Sequence, residues 1–427
     1  MNILLAHKYF FRGGGTATYL FSLMEELQAR GHRPVPFSVA YRRTAPTPYL
    51  KYFVSPPCGA DATFYSDIPR TPANAIRLLG RATFSTEAYR KAKQVVAAER
   101  IDIAYVHNVY NYMSPSVIPA CRSAGVPVVM RVSDYNLVCP AFGLYRGGTG
   151  PCVECLQRGL QRSLVHRCVK GSLAATGVRV FSMLVHRLLG VYRGVDAFVC
   201  PSSFMRRTLV AAGFPAEKVI HLPSFFPVNG HLPARLGQGR HILYLGRLSR
   251  EKGVETLIRA HRMLPHPPPL LIAGESRDGE LARLEAIAGE ASKNGIKFLG
   301  LKGREELTRL IDDALFTVVP SLQHDNCPMS VLESFAQGKP VVGSRLGGIP
   351  EQLAGGCGLL FEPGDVRGLA RQMQTLLARP QLRREMGTKA LARLRSEYTA
   401  ERHLGHLLSL FERLLERRRA AAGAGAR

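Results

Sequence analysis

The chain has 427 residues, close to half of them apolar, a moderate share of charged ones and a formal net charge of +25. Two domains of about 200 residues each are expected at this length, and the composition excludes a disordered chain. No uninterrupted run of about 18 apolar residues occurs, so no membrane-spanning helix is expected, while the positive charge leaves nucleic acid, an anionic membrane and phosphorylated ligands open as partners.

Asn2–Ala6 reads as a short apolar strand with no basic leader before it, a first strand rather than a secretory signal, which points to the cytoplasm. Gly13, Gly14 and Gly15 follow, a turn in which only glycine tolerates a positive φ and a close approach. Ala17–Ala29 has helical spacing, and Arg33–Ala40 predicts a second strand. The stretch from Pro46 to Ala98 gives no clear element. Ile101–Val106 and Val126–Val132 read as buried strands with a helix near Ser116–Ser123 between them. His107 closes the first of these strands, and Asp134 and Tyr135 follow the second.

Between Cys155 and Val195 there is no acidic residue, while Arg158, Arg162, Arg167, Lys170, Arg179, Arg187 and Arg193 recur among Leu, Val and Phe. That is the pattern of a helix lying on an anionic membrane. A basic, solvated domain face is the plainer reading and a nucleic-acid surface a third, although neither zinc-finger spacing nor an RNA-binding aromatic signature is present. Cys139, Cys152, Cys155 and Cys168 place a C-x-x-C between two symmetric outer cysteines. Four thiolates so spaced could hold a structural zinc and pin the basic insert, about 139–195; packing thiols or a redox pair are the alternatives. The other five cysteines read as packing.

Ala197–Cys200 predicts a strand, with Ser202 as N-cap of a helix Phe204–Ala212. The Pro- and Gly-rich stretch Leu222–Gly239 marks a linker, so the chain divides into 1–226, a linker 227–240 and 241–400. In the second part, strands are expected at His241–Leu245, Leu270–Ala273, Lys297–Leu299, Phe316–Val319, Pro340–Gly343 and Gly358–Phe361. Helices are expected at Val254–Met263, Glu280–Lys293 and Glu305–Asp313. An amphipathic helix 401–418 and a disordered tail 419–427 end the chain. This alternation argues for an α/β protein with two parallel sheets, whose ligands bind beyond the carboxyl ends of the strands.

The residues that carry chemistry all follow predicted strands. Gly246 and Arg247 come after one, and Lys252 precedes a helix; two cations there suit a diphosphate whose charge grows as a bond to it breaks. Asp325 sits on a loop and Glu333 on the helix after it, two carboxylates suited to the hydroxyls of a sugar and a ribose. The Gly347-Gly348 turn, with Glu351 in the next helix, lets backbone N–H groups approach a phosphate.

On these residues the chain resembles retaining nucleotide-sugar glycosyltransferases of family 4, which have the GT-B fold of two facing Rossmann-like domains. Leu243–Leu257 matches the family's GRL-x-x-E-K-G signature, and Asp325 to Glu333 its pair of glutamates, with Asp in the first place. Asn326-Cys327-Pro328 is similar to an E-N-C-P-M branch, and His107 to the family's H-x-H-N segment. Val132–Pro140 resembles its H-D-Y-x-x-x-C-P loop, with Ser133 in place of His. The resemblance implies that Glu333 binds the donor ribose, Asp325 the donor sugar, and Arg247 and Lys252 the leaving diphosphate. It implies further donor contacts from Gly13, Gly14, Gly15, Gly246, Gly347, Gly348 and Glu351, His107 against the donor sugar, Asp134 on the acceptor hydroxyl, and a last helix returning to the N-terminal domain. There is no Asp-x-Asp pair to chelate a metal on the donor, so catalysis without metal or other cofactor is expected, by front-face attack with the leaving phosphate taking the proton.

The resulting expectation is a hexosyltransferase working from a nucleoside-diphosphate sugar onto a glycan or lipid-linked acceptor in cell-surface polysaccharide synthesis. It would be cytoplasmic and peripheral at the inner face of an anionic membrane, with no nucleic-acid partner. The alternatives are a membrane-associated sugar-binding protein whose site has decayed, given Asp325 and Ser133, and a nucleotide-sugar epimerase, for which no acid–base set about the sugar C2 is evident.

Overall fold

The computed structural model describes residues 1–425 except 12, 60–67, 69–70, 111, 228–234, 277–278 and 290–294. The first half runs β1 (Asn2–His7), α1 (Gly15–Ala29), β2 (Arg33–Phe37), α2 (Pro72–Thr83), α3 (Thr86–Ala98), β3 (Ile103–His107), α4 (Val117–Ser123) and β4 (Val128–Arg131). It continues with a small hairpin, β5 (Tyr145–Arg146) and β6 (Gly150–Pro151), then α5 (Glu154–Arg158), α6 (Gln161–Val165), α7 (Leu173–Leu188), β7 (Ala197–Cys200), α8 (Ser203–Ala211) and β8 (Val219–His221). Its main sheet has the order β2-β1-β3-β4-β7-β8, parallel throughout.

The second half contains β9 (His241–Leu245), α9 (Val254–Arg262), β10 (Leu270–Ala273), α10 (Glu280–Ala288), β11 (Ile296–Gly300), α11 (Arg304–Asp312) and β12 (Ala314–Val319). After these come α12 (Met329–Ala336), β13 (Val341–Ser344), α13 (Ile349–Leu353), β14 (Gly358–Phe361), α14 (Val366–Ala378), α15 (Pro380–Glu397) and α16 (Ala400–Gly425). The order β11-β10-β9-β12-β13-β14, again all parallel, is that of a dinucleotide-binding sheet. Helices cover both faces of such sheets, so their strands are apolar throughout. Ile103, Ala104, Tyr105 and Val106 in β3 are wholly buried, as are Val341 and Val342 in β13.

The strand order reverses between β1 and β3 in the first sheet and between β9 and β12 in the second. At a reversal the connections on either side leave in opposite directions and open a crevice at the carboxyl edge. Every segment singled out for chemistry near Gly13, His107, Gly246 and Asp325 leaves one of those four strands.

Three expectations change. The stretch 46–98 holds α2 and α3; the buried face of α3 is Ala88, Ala92, Val95 and Val96, too rich in alanine to stand out as an apolar stripe. The expected disordered tail 419–427 is helical through Gly425, because an alanine-rich segment adds turns to an established helix at little cost. The expected linker 227–240 lies in large part outside the described residues. Among those described, no helix is long and apolar enough to cross a membrane.

Although α16 begins beside the second half, its apolar face lies on the first. Leu404, Leu407, Leu410 and Phe411 share one core with Ile3, Leu5, Leu20 and Tyr105. Phe411 is fully buried, so Phe411→Ala should destabilise the protein by about 3–5 kcal/mol, read as a lower denaturation midpoint. An unchanged midpoint would remove α16 from the core.

Candidate functional site

The second-half crevice is built around an ion pair. After β12, residues Pro320 to Pro328 form a loop that returns over the turn following β9; the carbonyl of Glu251 accepts from the N–H groups of Leu322 and Gln323 at 2.8 and 3.2 Å. Gly253 permits that approach, since a Cβ there would collide with the Pro320 carbonyl oxygen, and its φ is +67°. Lys252 Nζ donates to both carboxylate oxygens of Asp325 at 2.6 and 2.8 Å, Gln323 Nε2 donates at 2.7 Å, and the Ser321 hydroxyl donates as well. Burial pushes the Asp325 carboxyl up, but Lys252 and these hydrogen bonds outweigh it and hold it below its ordinary value. Lys252 and Asp325, expected to face different parts of a ligand, are thus partners of each other. Arg247 is over half exposed, 3.5 Å from Glu251.

Glu333 is in the opposite situation. Met329 and Glu333, four residues apart, share one face of α12. That face looks across to the glycine turn of the first half, where a Cβ on Gly15 would lie 3.0 Å from Met329 Cγ. Among the described residues Glu333 makes no hydrogen bond or ion pair. Burial pushes its carboxyl up to about 7, against the pull of Arg304. A half-buried carboxylate with no partner among the described residues is left to water or a ligand for its hydrogen bonds.

Gly347, Gly348 and Glu351 hold other parts of the chain in place. A Cβ on Gly348 would collide with the Asn326 carbonyl oxygen and one on Gly347 with that of Asp325, while the Gly348 N–H donates to the Asp325 carbonyl at 2.7 Å. The glycine pair therefore holds the Asp325 loop, and the space at it is filled by this chain's own backbone. Glu351 accepts from the N–H groups of Ser203 and Phe204 at 2.7 and 2.6 Å, with Arg207 at 3.8 Å. Both its oxygens cap α8 of the other half, where a carboxylate also meets the positive end of the helix. Within α8 the Ser202 hydroxyl accepts from the Met205 N–H at 3.1 Å.

The same loop reaches the first half. Asn326 Nδ2 donates to the Ser133 carbonyl at 2.8 Å, the His324 N–H donates to that of Gly143 at 3.2 Å, and the His324 ring stacks on Phe204 at 5.0 Å.

On the first-half side, β1, β3 and β4 end at His7, His107 and Arg131. His107 is wholly buried, edge-on to Tyr105 with ring centroids 4.3 Å apart, and among the described residues neither of its nitrogens has a partner. Burial and then the charge of Arg131 hold it well below the usual imidazole range, so it is neutral. Asp134 accepts from the Asn136 N–H at 3.0 Å; burial raises it, opposed by Lys8 and Arg179. Lys8 is lowered by burial first, with Asp134 opposing and Arg247 and Arg179 adding to the fall. Two cations from different elements, Lys8 and Arg179, therefore act on one carboxylate, and Arg247 of the second half acts in turn on Lys8. Gly13, Gly14 and Gly15 form an exposed turn into α1, Gly14 at φ +74°.

Lys8, Arg131 and Arg179 escaped the sequence reading. Lys8 directly follows β1 at the carboxyl edge, a position that could have marked it. Arg179, grouped there with membrane-facing residues, is buried and donates to Asn136 Oδ1 at 2.7 Å; its signal was a lone arginine among the residues that α7 turns inward. Arg131 lies 3.8 Å over the Tyr19 ring and donates to the Ser224 hydroxyl at 2.7 Å. Tyr19 Oη lies 2.8 Å from His403 Nε2, which ties α16 to the same group.

The four cysteines do not close into a metal site: among the described residues no group of three or more His, Cys, Asp or Glu side chains is arranged to hold an ion. Their charges do interact. Burial, then backbone bonds, then Cys168 and Cys152 act on Cys139, pushed up to about 11; burial, Cys139 and Cys168 push Cys155 up to about 12. Both stay protonated thiols. The insert is tied instead by Glu154, which accepts from Arg146 at 2.9 Å and Arg162 at 3.1 Å and lies 3.0 Å from His166.

Residues 14–224 match the family described as glycosyl transferase 4-like domain, and residues 234–393 that described as glycosyl transferases group 1. The chain is similar to the amylovoran biosynthesis glycosyltransferase AmsK of Erwinia amylovora, 33% identical over 180 residues that cover 40% of this chain and 44% of that protein. It thus spans under half the length of that relative. Among solved structures, sucrose-phosphate synthase from Thermosynechococcus elongatus superposes with a TM-score of 0.70 at 19% identity, covering 97% of this chain and 99% of the other. Anabaena HepE in complex with UDP gives 0.64 at 18% identity, covering 96% and 100%. With two parallel-sheet domains facing across a cleft, the chain has the GT-B fold.

Glu333 predicts a pH effect. Its carboxyl binds a proton more tightly folded, at about 7, than at its ordinary value of 4.5, so the folded protein loses stability as pH rises between these values and bears the full cost above 7. Glu333→Gln should raise the melting temperature at pH 8 by at least about 2–4 °C, with the difference shrinking toward pH 4.5. A melting temperature unchanged at pH 8 would show Glu333 to be solvated.

Proposed function

We propose that this chain, each half of which matches a glycosyltransferase family, is a retaining hexosyltransferase that works without a metal ion from a nucleoside-diphosphate sugar onto a glycan or lipid-linked acceptor. The observation that carries the reading is Glu333, a half-buried carboxylate with no partner among the described residues, on the face of α12 that looks across the cleft. A vicinal diol supplies two O–H donors to a carboxylate, which is what a ribose offers. Binding it favours the ionised form, so the carboxyl that titrates near 7 in the free protein gives up its proton when the donor enters.

In this reading, Arg247, Lys8 and Arg179 are the positive groups about the leaving diphosphate. They stabilise it more as its charge develops than before, and so lower the barrier. Lys252 contributes only in part, since its charge is shared with Asp325. Asp325, held ionised by that same lysine, presents carboxylate edges to the hydroxyls of the transferred sugar. His107 is neutral and can give or accept one hydrogen bond at the sugar. Asp134 is the acceptor's partner, with the leaving phosphate taking the proton of the attacking hydroxyl. That Anabaena HepE is solved with UDP and with UDP-glucose supports a uridine diphosphate donor, and the name of AmsK supports a role in polysaccharide assembly.

Calorimetric titration with UDP-, GDP- and ADP-sugars, without metal and then with magnesium, tests the reading. One base should bind without metal, UDP first among them. Glu333→Ala should weaken that binding at least about tenfold, the scale of one or two lost charge-assisted bonds. Binding that is absent for all three, or that Glu333→Ala leaves intact, refutes it. Titrations near pH 7 in buffers of different ionisation enthalpy should show release of a fraction of a proton on donor binding, lost in Glu333→Gln. With acceptor supplied, the product should keep the donor's anomeric configuration in its proton spectrum; inversion would overturn the retaining assignment.

A further inference from the structure

The structure leaves one strongly apolar surface uncovered, and it lies on the basic insert. Helix α7 buries Thr176, Arg179, Val180, Ser182, Met183 and His186 against the body of the first half. On a helix of 3.6 residues per turn, Leu173, Phe181, Leu184 and Leu188 fall together on the side turned away from those residues. All four are exposed, Leu184 at 45% and Leu188 at 86%. Val165 at the end of α6 and Ile76 on α2, which packs beside α7, are exposed as well. An outer helical face that carries leucine and phenylalanine where charged side chains are usual is not a solvated face.

Charge surrounds this stripe with one sign. Arg187 near the end of α7, and Arg158, Arg167, Lys170 and Arg193 on the segments that flank it, are exposed, and no acidic residue occurs between Cys155 and Val195. Glu154, just before this stretch, is already held by Arg146 and Arg162. A protein partner of ordinary composition would have to supply many acids around an apolar patch. A bilayer with anionic headgroups supplies both at once, with acyl chains for the leucines and phosphates for the basic rim.

We infer that the exposed face of α7, with the basic ends of the insert, docks the protein on an anionic lipid bilayer. The helix lies in the plane of the interface, its leucines and Phe181 below the headgroup level and Arg167, Lys170 and Arg187 among the phosphates. Arg179, on the opposite side of the same helix, reaches Asn136 beside Asp134, so one helix touches the membrane and the acceptor side of the cleft. The inference stands on the surface alone and does not depend on the donor assignment.

Vesicle co-sedimentation of the full chain tests it. The protein should pellet with vesicles of phosphatidylcholine containing about a third phosphatidylglycerol and remain in solution with phosphatidylcholine alone, and binding should fall as salt rises. The double variant Leu184→Glu, Leu188→Glu should lower partition at least about tenfold, as should Arg167→Glu, Lys170→Glu, with melting temperatures near that of the parent because all four side chains are exposed. No binding to the anionic vesicles, or equal binding by the leucine variant, overturns the inference. So does a dimer of the parent chain that this variant dissolves while vesicles bind neither, since the face would then be an interface between copies.

Discussion

The loop from Pro320 to Pro328 is the joint on which the two halves meet. It is wound about one half-buried ion pair, Lys252 with Asp325, and it is bonded outward to Ser133, Gly143 and Phe204 of the other half. Loss of one partner would leave the other charge with only part of its hydration, which makes the pair harder to break than one on the open surface. The constraint extends to backbone: Gly253 and the Gly347-Gly348 turn are glycines because carbonyl oxygens occupy the space where a Cβ would sit. Glu351 completes the joint by capping α8. Glu333, one turn beyond this joint on α12, has no partner among the described residues.

What was legible in the sequence follows from this division. The central strands were readable because a parallel sheet covered on both faces demands apolar runs, and β7, β9, β10 and β14 fall at the expected bounds. The segments that carry chemistry were readable because they follow strands. Partnership was not readable. Nothing local distinguishes an acid with no partner among the described residues, as Glu333 is, from one that caps a helix 148 residues away, as Glu351 does at Ser203. Gly348 and Gly14 look alike in sequence, yet one accommodates a neighbouring carbonyl and the other faces open space. Cys139 and its companions had metal-like spacing, but the hairpin and short helices between them do not gather them into a metal site among the described residues, and Glu154 with its arginines ties the insert.

The cations show the same limit of local reading and a physical order behind it. A net charge of +25 could be spread evenly, but the basic residues fall into distinct populations. Arg131 and Arg179 are buried and Lys8 half-buried near the cleft, where desolvation makes their charge expensive to hold and strong in its effect. Arg167, Lys170 and Arg187 are exposed around α7. Helix α7 carries both kinds on opposite sides, which is why its sequence suggested a single face.

The return of α16 to the first sheet has a consequence for how the chain is made. Leu404 to Phe411 complete the core that Ile3, Leu5 and Tyr105 begin, so that β1 and α16 are neighbours although the whole second half lies between them in the chain. A ribosome delivers them far apart in time. The first half emerges with α1 on this side of its sheet and the place of α16 beside it open, and that apolar surface stays open until α16 clears the exit tunnel. The second half carries its own strands and helices in one stretch and can fold while that wait lasts.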